Sequence, residues 1–197
     1  MKRTIWLTFA FISFLSAAGI SQKVKLTGDL GFLKGVSKVE LAYKYDNMGV
    51  GKFKTSDEYV AKKTDEYNKK EAGKGDDWAK KWVSDRETRY QPHFEQGLKE
   101  HCPAIDFDEN NKSDYKMTIE TTFTEPGFNV GVMRKNASIN VIVRFTDKSG
   151  QELATMTIEN IPGRDATGYD FDTGVRIEEA YEKAGKTIGK FIDKKIN

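Results

Sequence analysis

With one cysteine in 197 residues, Cys102, the chain closes no disulfide within itself, and its stability has to come from a packed core. A domain of this size buries about 70% of its unfolded-chain surface, which is enough without covalent staples. Histidine is nearly as scarce. His93 and His101 are eight residues apart, which fits neither common helical metal pair, and no His-Glu-x-x-His or Cys-x-x-Cys motif is present. The expectation is therefore no tightly bound metal and no cofactor. Long hydrophobic runs are missing too: the apolar stretch at residues 5–15 is well short of the ~20 residues a membrane-spanning helix needs.

That stretch has another explanation. Lys2 and Arg3 precede it and Ser16-Ala17-Ala18 follow it, which is the order of a secretory leader. Cleavage after Ala18 would leave a single domain spanning 19–197. Lys2 and Arg3 are the only charges in the leader, so the remainder holds 30 basic and 30 acidic residues. A neutral chain lacks the electrostatic footprint of a nucleic-acid binder. No cysteine lies near residue 19 to take a lipid. The reading is an exported protein, periplasmic or secreted, not lipid-anchored and without a membrane span once the leader is gone.

Periodicity then divides the chain. Val39, Leu41, Tyr43 and Tyr45 alternate with polar residues as in a half-buried strand, closed by the turn Asp46-Asn47-Met48-Gly49. Thr55-Ser56-Asp57-Glu58 has the form of a capping box, predicting a helix to about Lys70. A second helix is expected to start at Asp76 or Asp77, with Trp78, Trp82, Val83, Arg86 and Tyr90 along one side and a break or kink at Pro92. Phe94 and Leu98 extend a helical pattern to His101. From residue 113 the period is two: Tyr115 to Phe123, Ile139 to Phe145 and Gln151 to Asn160 read as an antiparallel meander. Val175, Ile177, Ala180, Tyr181, Ala184, Ile188, Phe191 and Ile192 then repeat at helical spacing. The expected fold is α+β: a mixed, mainly antiparallel sheet of about four strands with helices packed on it, in the order strand, helices, three strands, helix.

Several chemical motifs fail on inspection. Gly49-Val50-Gly51-Lys52-Phe53 resembles the end of a phosphate-binding loop, but Asp46 stands where its first glycine belongs and Phe53 where its metal-binding hydroxyl belongs. Asp106, Asp108 and Asn110 open like a calcium loop, yet Asn111 and Met117 occupy the glycine and bidentate glutamate positions. Asp165, Asp170 and Asp172 are sufficiently explained by turns and caps. The Ser113-Asp114-Tyr115-Lys116 match to a serine-lysine motif has no supporting second motif. Cys102 beside His101 reads as a buried thiol in preference to a reactive one.

Two candidate surfaces remain. Residues 125–135 form a connection too long for a tight hairpin, and Phe128, Val130, Met133 and Arg134 offer a partner apolar groups beside a cation. The competing reading packs Phe128, Val130 and Val132 on the core as an extended arm. Trp78, Trp82 and Arg86 form the second candidate, an aromatic surface for a planar ligand. Their helical spacing argues instead for a core stripe, which requires that spacing where a platform does not.

Gly28-Asp29-Leu30-Gly31-Phe32-Leu33-Lys34-Gly35, Gly75-Asp76-Asp77-Trp78 and Pro126-Gly127-Phe128-Asn129-Val130-Gly131-Val132-Met133 together resemble uncharacterised exported proteins of Gram-negative anaerobes. That resemblance spans most of the chain after the leader and implies export, but no activity and no functional residues. The leading expectation is a non-enzymatic exported domain that binds a protein or a cell-envelope component. The alternative is a secreted hydrolase whose catalytic carboxylates meet only on folding.

Overall fold

The computed structural model describes residues 23–130, 133–164 and 172–197. The expected leader, and Asp165 and Asp170, lie outside them. The chain opens with β1 (Val24–Gly28), a short 3-10 turn at Gly31–Leu33, β2 (Lys38–Lys44) and β3 (Gly49–Val50). Next come α1 (Ser56–Asn68), α2 (Lys74–Asp85), a π-helical turn at Arg86–Tyr90 and α3 (Gln91–His101). The second half holds β4 (Asp106–Asp108), β5 (Tyr115–Glu125), β6 (Phe128–Val130), β7 (Met133–Lys135), β8 (Ser138–Asp147), β9 (Glu152–Pro162) and α4 (Thr173–Ile196).

The fold is α+β with a mixed sheet, but that sheet has seven strands where the periodicity predicts about four, and the order along the chain differs: three strands precede the helices where one is expected, and a short β4 follows them before the meander. Its order is β1-β9-β8-β5-β2-β4, with β3 also on β5. The meander β5-β8-β9 is antiparallel, and β2 pairs parallel with β5 after the helical crossover. Of the extra strands, β3 and β4 have two and three residues, too few to give a periodic signal of their own, while β1 does alternate Val24 and Leu26 with Lys25 and Thr27, a short signal that the expected fold leaves out. They form because a neighbour offers unpaired backbone groups. β3, for example, resumes along β5 at Phe123 and Thr124 after β2 has left it at Glu120.

Alternate residues of the central strands are buried beneath the helices, among them Met117, Ile119, Val141, Val143, Phe145, Met156 and Ile158. The intervening residues form the open face, where Lys116 pairs with Glu40 at 2.7 Å and Arg144 with Glu120 at 3.2 Å. The buried side of α4 is Ile177, Ala180, Tyr181, Ala184, Ile188 and Ile192. It crosses α3 closely because both helices present glycine at the contact. A Cβ on Gly185 would stand 2.0 Å from the Phe94 carbonyl oxygen, and one on Gly97 would stand 2.3 Å from that of Glu182. Larger residues there would hold the two backbones apart.

Thr55 caps α1 as expected, its hydroxyl accepting from the Glu58 N–H at 3.2 Å. The Glu58 carboxylate reaches one residue further than a capping box requires, accepting from the Lys54 N–H at 3.0 Å. The second helix differs from expectation at its start. It starts at Lys74, ahead of Asp76 and Asp77, which lie in its first turn where the helix dipole favours negative charge. Its Gly75 N–H is capped from α1, by Asn68 Oδ1 at 2.7 Å, a partner that local sequence does not reveal. At the other end the α-helix is interrupted just before Pro92, where a break or kink is expected, although the chain stays helical through it. The turn before it widens, with the Gln91 N–H donating to the Arg86 carbonyl, and this makes room for a proline ring that would otherwise clash with the preceding turn. Val83, expected among the large residues of the buried side, is 52% exposed, because one residue step turns it roughly 100° from Trp82.

Candidate functional site

Strands β6 and β7 form a two-stranded hairpin separate from the main sheet, pairing Phe128 with Lys135, Asn129 with Arg134 and Val130 with Met133. Its base is fixed from several directions. Gly127 has φ 71°, and a Cβ there would stand 2.7 Å from the Lys135 carbonyl oxygen, so the tight entry requires glycine. The Gly127 N–H donates to Glu125 Oε1 at 3.1 Å, and the other Glu125 oxygen pairs with the Lys135 ammonium. Arg176, 5% exposed in the first turn of α4, donates from Nε to the Pro126 carbonyl at 3.1 Å. On the exit side Ala137 is fully buried, and its carbonyl accepts from the Gly163 N–H at 2.8 Å.

Beyond this base the described side chains of the hairpin are exposed. Phe128 is 42% exposed and Met133 62%, so Phe128 is not packed on the core as the extended-arm reading has it. Residues directly opposite in an antiparallel pair share a face, as do residues two apart in one strand. Phe128, Met133 and Lys135 therefore lie on one face, with the exposed Arg134 on the other. The side chains of Val130 and Val132 lie outside the described residues. Among the described residues only Val83, Phe128 and Met133 are large apolar side chains classed as exposed, and two of those three are on this hairpin.

Trp78, Trp82 and Arg86 are not displayed on a common surface. Trp82 is 5% exposed, stacked on the half-buried Trp78 at 5.7 Å and tilted against Tyr59 at 5.0 Å. Its Nε1 donates to Ser56 Oγ at 3.1 Å, tying α2 to the start of α1. The Arg86 guanidinium lies over the Tyr45 ring at 4.7 Å.

The charged groups nearby are paired with one another. Arg89 meets Asp85 and Asp172 at 3.2 Å each and Glu178 at 3.5 Å, and Lys81 meets Asp172 at 2.6 Å. Burial raises the Asp85 carboxyl above its ordinary range despite Arg89. Burial also acts on Asp172, but the Lys81 hydrogen bond and Arg89 outweigh it and hold that carboxyl low. Asp172 also caps α4, accepting from the Gly174 N–H at 2.9 Å. His93 stands 3.8 Å from both Glu178 and Glu182, while His101 Nδ1 lies 3.0 Å from the Gly97 carbonyl oxygen within its own helix. Asp108 is taken up by its own turn, accepting from the Asn110 backbone N–H at 2.8 Å. Among the described residues no group of three or more His, Cys, Asp or Glu side chains converges as metal ligands would.

Cys102 is fully buried, and burial together with Asp193 pushes its thiol up to about 11. In the folded protein at neutral pH it is expected to resist a disulfide-exchange reagent over hours, and to react stoichiometrically once urea unfolds the chain. Rapid labelling without denaturant would contradict that burial.

No family model matches the sequence, and no curated protein matches it. Among solved structures, a PelC dodecamer from Paraburkholderia phytofirmans is 11% identical, with a TM-score of 0.41 over 84% of this chain and 96% of that one. A point variant of the same protein, also a dodecamer, gives 11% identity and a TM-score of 0.40 over 84% and 95%. A likeness at that level carries no argument about what this chain does. No described helix is long and apolar enough to cross a membrane.

Proposed function

We propose that the protein is an exported, non-enzymatic domain that binds another protein or a cell-envelope component through the β6–β7 hairpin. The observation that carries the reading is the placement of exposed Phe128 and Met133 on a hairpin whose base is held by Gly127, Glu125 and the buried Arg176. Apolar side chains clustered on a projecting element normally mark a contact surface. A stiff base also limits the ordering entropy lost on binding. The position of Val130, opposite Met133, belongs to the same face, while Arg134 offers its charge from the opposite face of the hairpin.

The test uses the mature protein as bait for detergent-solubilised envelope from the source organism. A Phe128→Asp/Met133→Asp variant is expected to recover at least about tenfold less of any partner, as loss of an interface anchor does. Its unfolding free energy should stay within about 0.5 kcal/mol of wild type, because both side chains are exposed. Val83→Asp serves as the control and should bind as wild type does. Recovery unchanged by the double substitution would contradict the assignment of the hairpin.

A further inference from the structure

A cavity of about 10 Å³ lies where the end of β2, the π-helical turn and α4 meet, lined in part by Tyr45, Trp82, Arg86, Tyr90 and Tyr181. Most polar groups around it are accounted for. Trp82 Nε1 donates to Ser56, and the Tyr181 hydroxyl shares a 2.7 Å hydrogen bond with the Thr121 hydroxyl. The hydroxyls of Tyr45 and Tyr90 are different: both are removed from solvent and neither has a hydrogen-bond partner in the protein. Gln91 and the Tyr181 hydroxyl are near enough to Tyr45 to ease its ionisation, but neither forms a hydrogen bond with its hydroxyl. Tyr90 is 5% exposed and its ring stacks on that of Tyr181 at 4.9 Å and 3°. The rings therefore have little freedom to turn their hydroxyls elsewhere.

Buried hydroxyls are almost always satisfied, and one that is not costs the desolvation of its polar group. A polar cavity needs roughly 10–15 Å³ to hold one water, and such a water typically makes about three hydrogen bonds. We propose that this cavity binds one water molecule as a fixed part of the fold, bridging Tyr45 and Tyr90. The water accepts from one phenol and donates to the other. Its remaining hydrogen is available to the Tyr181 oxygen, which keeps a lone pair beyond its bond with Thr121. The site takes a single small hydrogen-bonding molecule and is too small for a sugar or phosphate group. It joins the strand that precedes the helices, the widened turn beside Pro92 and the helix that covers the sheet.

Water-oxygen magnetic relaxation dispersion on the wild-type protein and on a Tyr45→Phe/Tyr90→Phe variant tests this. The wild type is expected to show one more long-lived water than the variant, and equal amplitudes would overturn the proposal. Should the double variant not fold, Tyr90→Phe alone decides the matter. A reduced amplitude with a lowered urea midpoint supports the bridging water. An unchanged amplitude with a raised midpoint means that a dry, unpaired hydroxyl has been relieved, and overturns it.

Discussion

Replacing Trp82 with alanine is expected to destabilise the protein by about 3–5 kcal/mol, the range for truncating a large buried aromatic residue. The indole is 5% exposed and packs against Tyr59 and Trp78, so its removal opens a cavity between α1 and α2 instead of trimming a surface. It also removes the Nε1 donor that Ser56 accepts, and Ser56 is itself buried. Urea unfolding followed by circular dichroism measures the effect. An unchanged midpoint would mean that the ring is at the surface, and would revive Trp78, Trp82 and Arg86 as a ligand platform.

The second large effect is expected in alkali. Burial raises the pKa of Tyr43, Tyr59, Tyr90 and Tyr181 well above the ordinary value, with Glu95 adding to it for Tyr43. Burial likewise pushes Tyr45 up to about 12, against the opposing pull of Gln91 and Arg86. In the unfolded chain these phenols ionise near 10, so above that pH the unfolded state releases protons that the folded state retains. Their contribution to stability is therefore complete below pH 10 and is lost as the pH rises through 12. Since five groups act together, the fold should give way cooperatively within that window, with phenolate absorbance rising as the circular dichroism signal falls. Ionisation of all five near the ordinary value with the fold intact would contradict their burial.

What could be read from the sequence was what local pattern determines. The alternation of Val39 and Leu41, the cap at Thr55, the meander from Tyr115 and the helical stripe from Ile177 to Ile192 all have physical causes within a few residues of themselves. Features that depend on a distant partner could not be read in this way. β3 exists because Phe123 and Thr124 on β5 are there to pair with it, and α2 starts early because Asn68 reaches across from α1. Of the residues placed on one side of α2, Trp82 and Tyr90 are buried and Val83 is not, because a position adjacent to Trp82 points about 100° away from it whatever happens at the widened turn.

The candidate surface was legible only as a long connection. Residues 125–135 stood out by length and glycine content, but strands of three residues each carry no period. Their anchor, Arg176, is a charged residue in the buried part of α4. Its partner, the Pro126 carbonyl, is 50 residues away in the chain, and only the folded structure shows why a guanidinium is buried there.

Site-specific photocrosslinking in the living source organism tests the central claim most directly. A photoreactive amino acid is placed at Phe128, at Met133 and, as an equally exposed apolar control, at Val83. Both hairpin positions are expected to yield the same discrete adduct with an envelope component or exported protein, and Val83 none. An absence of adducts at Phe128 and Met133, or the same adduct from Val83, would contradict the account.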